Sequence, residues 1–254
     1  MIYLAIETSD PRGSLALFDN DGMRQEDTFS SDMAHAREFA DRIDNLLRQG
    51  GFAAGDLGGI SVSIGPGSYT GCRVGVTAAK TLAIALRIPV VALSSLEVMA
   101  AFAMESPGSR REAGEGAVDS FIPVLDGRRG FFYGAHFRRC EGNRPRRTAE
   151  DQVAQLSELA GVLEGPAWIL GRGADSFLLG LEDDGGSTCA SEYGYNRGPV
   201  EWDQPRAATL AGLSLELLGE ANFDQEAIHS LKPAYLRPSE PEIVLARKLA
   251  GEDK

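Results

Sequence analysis

Residues 59–87 constrain this chain more than any other stretch. GISVSI at 59–64 reads as a buried strand, GPGSYTG at 65–71 as a glycine-rich turn, and 71–87 as a helix. Arg73, Lys80 and Arg87 are the only charged residues of that helix, and IPVVAL at 88–93 reads as the next strand. The charges recur every seven residues on one narrow stripe, and nearly everything else is small or apolar. A helix that is apolar almost all round needs cover on two sides. Its own sheet supplies one; a second helix or a second chain must supply the other. Gly71, Gly75, Ala79 and Ala83 form an i, i+4 ridge of small residues, along which helix axes approach closely. Either the chain covers this helix entirely by itself or the helix is an intermolecular interface, and the pattern favours the interface.

The surrounding chain places this unit in an α/β fold. IYLAIE at 2–7 and GSLALF at 13–18 read as antiparallel strands turned by Asp10-Pro11-Arg12-Gly13. Asn20-Asp21-Gly22 turns into a third strand near 24–29. Met33, Ala36, Phe39, Ala40, Ile43, Leu46 and Leu47 recur at helical spacing, which predicts a helix over 33–48 stopped by Gly50-Gly51. Ser94 with Glu97 forms a capping box for a helix over 95–104. The order βββαβαα is a mixed sheet with helices on its faces. The polar, glycine-rich segment 105–118 is the best linker candidate. Beyond it the pattern weakens. The sequence predicts a hairpin at 119–126 and 130–139 around Asp126-Gly127-Arg128-Arg129, helices at 151–163, 174–182 and 206–219, and a strand near 167–171. Residues 183–205 are loop-like, and the tail is irregular from 220 until about 240–250. Two halves that each open with paired strands suggest a duplicated fold.

Charge and cysteine usage narrow the function classes. The formal net charge is −12 over 254 residues. Such a surface repels phosphate backbones, so the chain alone is not expected to grip RNA or an anionic membrane, although a local basic patch or a basic partner can supply that contact. Cys72, Cys140 and Cys189 stand far apart, which fits a reducing cytosol rather than a disulfide framework or a zinc knuckle. The start reads as a first strand, and the apolar stretch 82–93 is too short and too interrupted to span a bilayer. A cytoplasmic protein is the expectation.

The glycine-rich turn admits several chemistries. A turn between strand and helix presents free N–H groups and a positive helix end to an anion. A phosphate-binding loop of the GxxxxGK[ST] type is absent, and the strand that follows ends at Leu93-Ser94-Ser95 without the acid that would hold a ribose. What stays open is an anion or nucleotide contact formed by Glu7, Thr8, Ser9, Gly65, Gly67 and Ser68, a clamp on a partner or substrate, or a tight turn that merely requires glycine. Elsewhere His35, His136 and His229 are isolated, and no catalytic or metal-ligating spacing is visible.

AIETS at 5–9, SIGPGSYTGCRVGVTAAKTLA at 63–83, IPVVALSSLE at 88–97, LDGRRGFFYG at 125–134 and PAYLRP at 233–238 together resemble the TsaB (YeaZ) family. The likeness is strong over 1–100 and patchy after 118. It implies a two-lobed actin-like, ribonuclease H-like fold, each lobe a mixed sheet flanked by helices. Residues 1–104 would form the first lobe, completed by helix 206–219. Residues 119–205 would form a smaller, degenerate second lobe, and 220–254 a tail. The catalytic relative TsaD, built on the same plan, carries HxxxH where this chain has Ser95 and Met99, neither of them a fitting metal ligand. Glu7 stands where the pattern usually has Asp. The resemblance therefore implies a subunit with neither metal nor cofactor of its own, which pairs with a TsaD-like enzyme. The implied surface is Met33, Ala36, Ala40, Gly71, Arg73, Gly75, Ala78, Ala79, Leu82 and Ala83. With a TsaE-like ATPase and a TsaC-like activating enzyme, the pair would modify the adenosine next to a tRNA anticodon, touching tRNA only as a complex. Without its partner the chain would form a homodimer. The alternatives are a nucleotide phosphotransferase or ATPase and a glycoprotease-like metallopeptidase.

Overall fold

A computed structural model describes residues 1–30, 36–109, 118–142, 144–162, 165–183 and 194–237. The opening meander forms as its turn signals require: β1 Ile2–Glu7, β2 Arg12–Asp19 and β3 Gly22–Ser30, with Leu4 opposite Leu17 and Asp19 opposite Gly22. Helix α1 (Ala36–Gln49) leads to β4 (Leu57–Ser63), and α2 (Tyr69–Leu86) leads to β5 (Val90–Leu93). β4 lies parallel to β1 and β5 parallel to β4, so the first sheet runs β3-β2-β1-β4-β5. Strand alternation gives this sheet two apolar faces. Leu4, Ile6, Leu15, Leu17, Ile60 and Val62 face α1 and α2. Tyr3, Ala5, Ala16 and Phe18 face α6 (Ala207–Glu220). Each large side chain buried this way stabilises the fold by roughly 1.5–3 kcal/mol.

Helix α3 (Ser95–Glu105) explains its own composition. It is apolar on every side because it lies between the two sheets, with Val98 and Ala101 against the first cluster and Leu96, Met99 and Ala103 against the second sheet. The expected capping box is only half formed. Ser94 accepts from the Leu96 N–H, but the Glu97 carboxylate is drawn to Arg144 at 2.6 Å instead of back to the cap. A full charge on a guanidinium outcompetes a neutral N–H.

The second sheet consists of β6 (Ser120–Asp126), β7 (Phe131–Arg138), β8 (Arg146–Gln155), β9 (Ala167–Leu170) and β10 (Tyr195–Arg197), in the order β10-β9-β6-β7-β8. Its helices are short: α4 Leu156–Val162 and α5 Ala174–Asp183. Phe132, Ile169, Phe177 and Tyr195 fill its outer core. Three readings of the sequence are corrected here. The helix expected over 151–163 is the end of β8 followed by α4. The stretch 183–205, read as loop, contains β10 and a 3-10 turn at Val200–Trp202. The tail, read as irregular, begins with α7 (Gln225–Ser230), capped by Asp224. The segments 110–117 and 238–254 lie outside the described residues. Among the described residues no helix is long and apolar enough to cross a membrane.

Candidate functional site

The glycine-rich turn and the loop after β1 are built into each other. Ser68 caps α2, its hydroxyl accepting from the Gly71 N–H at 3.1 Å. The Ser68 N–H donates to the Ser9 carbonyl at 2.6 Å, and the Thr8 hydroxyl donates to the Gly71 carbonyl at 2.8 Å. A Cβ on Gly67 would stand 2.2 Å from the Ser9 carbonyl oxygen, and one on Gly71 would stand 1.9 Å from that of Thr8. The glycines are there to admit the chain's own loop. That loop, Thr8–Asp10, is buried, and its Ser9 carbonyl takes up the Ser68 N–H that the turn would otherwise offer an anion.

Glu7 sits at the floor of this arrangement, fully buried. Its Oε1 accepts from the Ser9 N–H and the Ser9 hydroxyl at 2.7 and 2.6 Å, while Oε2 has no hydrogen-bond partner. Burial pushes the carboxyl above the ordinary carboxylate range, only partly offset by the Ser63 and Ser9 hydroxyls. Asp10 meets the second lobe: its carboxylate takes both forks of Arg172 at 2.7 and 3.0 Å. The turn Gly171-Arg172-Gly173 after β9 is held from behind. The Gly171 N–H donates to Asp203 at 2.7 Å, and Arg197 binds the same carboxylate at 2.6 Å. The cleft between the lobes is therefore bridged by side chains of the chain itself. Ser95 and Met99 both face inward on α3, Met99 in a hydrophobic cluster. Among the described residues no group of three metal-ligating side chains comes together.

The helix faces differ from the sequence reading. Gly71, Gly75, Ala79 and Ala83 do not form an outer ridge. All four are buried, and a Cβ on Gly75 would stand 2.3 Å from the Thr8 hydroxyl. The small residues let α2 lie close on β1, so they seal the chain's own core. The periodicity was right, but spacing alone does not say which side of a helix meets its own sheet. The open face of α2 carries Arg73, Thr77, Thr81 and Ala85, with Ala78 and Leu82 half-buried at its margin. Lys80 is turned aside and donates to the His229 and Leu231 carbonyls at 2.7 and 2.9 Å. On α1, Ala40 is exposed beside Glu38 and Asp41, while Phe39 and Ile43 are buried. Met33 and the Ala36 side chain lie outside the described residues.

The fold is a pair of five-stranded mixed sheets with α3 between them and a glycine turn after β4 and after β9. Comparisons with known proteins show what a chain of this fold is similar to. Residues 30–170 match the family model for TsaD, tRNA N6-adenosine threonylcarbamoyltransferase. The tRNA threonylcarbamoyladenosine biosynthesis protein TsaB of Bacillus subtilis is 32% identical, over 95% of this chain and 96% of that protein. Escherichia coli TsaB is 29% identical over 56% of this chain and 57% of its own. The solved structure of YeaZ from Pseudomonas aeruginosa superposes with a TM-score of 0.69 at 21% identity, over 92% of this chain and 99% of that one. The chain belongs to the TsaB (YeaZ) family.

Proposed function

We propose that this chain serves tRNA threonylcarbamoyladenosine biosynthesis as a non-catalytic subunit that pairs with a TsaD-like enzyme. Its family membership brings it to that pathway. The observation that carries the supporting role is the bridged cleft. Where an actin-like enzyme would hold a nucleotide, Asp10 and Arg172 hold each other, and the Ser68 N–H of the glycine-rich turn is taken by the Ser9 carbonyl. A nucleotide-binding role for the chain alone would require that pair to open. A peptidase role would need metal ligands where Ser95 and Met99 lie inward.

The surface offered for pairing is the open face of α2 with the neighbouring exposed face of α1. Over 18 residues α2 has no acidic side chain, and its only cation on the open face is Arg73 at one end. Thr77, Thr81 and Ala85 can be desolvated at low cost. The same weakly polar patch suits an isologous homodimer when the partner is absent. A TsaE-like ATPase would join the assembled pair. Substituting Ala79 does not test this surface, because Ala79 is fully buried in the chain's own core. Thr81→Glu does, since Thr81 is exposed on the helix. Burial of an unpaired carboxylate costs about 3–5 kcal/mol, so Thr81→Glu should keep its fold and lose the TsaD-like partner on size-exclusion chromatography. Undiminished complex formation by that variant would remove this face from the interface.

A further inference from the structure

One feature of the second lobe is used by neither the fold nor the proposed pairing. Residues 138–147 hold five arginines and a single acid, Glu141, in a chain of formal charge −12. Three of the five are committed within the protein. Arg139 binds Asp119, the Met104 carbonyl and the Ser109 hydroxyl. Arg144 pairs with Glu97, and Arg147 with Asp151 and, at 3.6 Å, Glu97. The other two are not. Arg138 on β7 and Arg146 on β8 stand directly opposite in the antiparallel register, and both are exposed. Among the described residues neither guanidinium has an ion-pair or hydrogen-bond partner. The next exposed acid along β8, Glu150, is four residues on, roughly 13 Å at strand rise.

Like charges directly opposite on a sheet destabilise it. Protection of an exposed edge accounts for Arg146, because β8 is the edge strand, but not for Arg138, because β7 lies inside the sheet. Two planar forks side by side on a rigid ladder suit an oxyanion with several acceptor oxygens, and guanidinium binds phosphate in a bidentate way. The geometry points to Arg138 and Arg146 as a contact for the phosphodiester backbone of RNA, on the locally positive surface of an otherwise acidic chain. This rests on the proposed function, which brings the chain to a tRNA. The two basic side chains would then be the part of the subunit turned toward the polyanion, while the rest of its surface faces away.

The test measures binding of a tRNA transcript across a salt series, by the full chain alone and mixed with the TsaD-like protein. The arms are wild type, Arg138→Ala/Arg146→Ala, Arg138→Lys/Arg146→Lys and Arg138→Glu. Removing two phosphate contacts should weaken binding roughly tenfold at physiological salt and flatten the log–log salt slope by about 1.5, while the double-lysine variant keeps most of the slope. Arg138→Glu places opposite charges across the ladder, so its melting temperature should rise while RNA binding falls. If the arginines were only structural, both would fall together. Equal slopes for wild type and the double-alanine variant overturn the proposal, as does competition by inorganic phosphate alone at the concentration that displaces tRNA. Failure of the pairing itself reads separately, as absence of a complex on size exclusion, because neither arginine lies on α1 or α2.

Discussion

The two lobes share one connectivity and spend it differently. Each opens with an antiparallel trio, β3-β2-β1 in the first and β8-β7-β6 in the second. Each then adds two parallel strands beside the first of the trio, β4 and β5 or β9 and β10. In each, a glycine turn after the fourth strand packs closely on the C-terminal end of the first strand or the residue just after it. Gly71 lies against Thr8, and Gly173 lies against Leu125 and Asp126. The difference is in what surrounds the shared frame. The first lobe covers its sheet with helices of 14 and 18 residues, and its strand-end loop is buried. The second uses helices of 7 and 10 residues, and its equivalent loop, Asp126–Gly130, stays mostly exposed. The lesson is that one hydrogen-bonded skeleton can carry long helices with a free face in one lobe and short helices in the other.

The glycine clamps give the largest expected effect and the sharpest break between the lobes. A Cβ on Gly71 would stand 1.9 Å from backbone oxygen, against 2.7 Å from backbone carbon at Gly173. Gly71→Ala must push the buried Thr8–Asp10 loop off α2 and should destabilise by about 3 kcal/mol, the upper end of overpacking costs. Gly173→Ala meets the end of β6 at a longer distance and should destabilise by about 1 kcal/mol. Thermal unfolding checks both, with melting shifts of about 2–4 °C per kcal/mol for a chain of this size. Equal shifts would mean that the end of β6 yields as little to Gly173 as the Thr8–Asp10 loop does to Gly71.

The clamps meet at Asp10 and Arg172. Asp10 is 5% exposed and Arg172 is 45% exposed at the side chain, so the pair is half open to water. Arg172→Ala leaves a nearly buried carboxylate with one of its partners gone. With solvent screening at Arg172 discounted, the loss should be about 1–2 kcal/mol. Hydrogen exchange at Thr8–Asp10 and at Gly171–Gly173 should rise together in this variant. A rise on one side only would show that the lobes are held by other contacts, such as Arg144 with Glu97.

The first lobe was far more legible than the second, and the reason is physical. Runs such as IYLAIE and GISVSI are buried on both faces, so their composition states their place. β8, RRTAEDQVAQ, is an edge strand with one side in water, and its polar residues mimic an exposed helix. β10 is three residues long, too short to carry a period. At the candidate site, Glu7, Thr8, Ser9, Gly65, Gly67 and Ser68, grouped in the sequence reading, lie at the end of β1, on the loop after it and on the turn before α2. What spacing could not show is that they bind one another. Nor could it show that Arg172, some 160 residues away, would complete them. The small ridge of α2 carried a usable signal in its neighbours: Thr77 and Thr81 share a face with Arg73, and that polar face is the one left open.

The smallest effect concerns the acids at the ends of the equivalent strands, and it depends on pH. Glu7 closes β1 fully buried, and Asp126 closes β6 exposed, where its Oδ1 accepts from the Arg128 N–H at 2.7 Å. Burial raises the Glu7 carboxyl above its ordinary value of 4.5. The native state then binds this proton more tightly than the unfolded chain does. Between 4.5 and the raised native value the native state holds more protons, so stability falls as pH rises through that window and levels off above it. Glu7→Gln keeps an Oε1 acceptor for Ser9 and removes the titration. Denaturant unfolding should show variant and wild type alike at pH 4, with the variant gaining as pH rises above 4.5 and the gap holding constant above the raised native value. Asp126→Asn, a surface change that retains its acceptor, should stay within about 0.5 kcal/mol of wild type at neutral pH. A Glu7→Gln curve parallel to wild type at every pH would mean that the unpartnered Oε2 is stabilised as an anion after all. The buried end of the first lobe would then be as well solvated as the open end of the second.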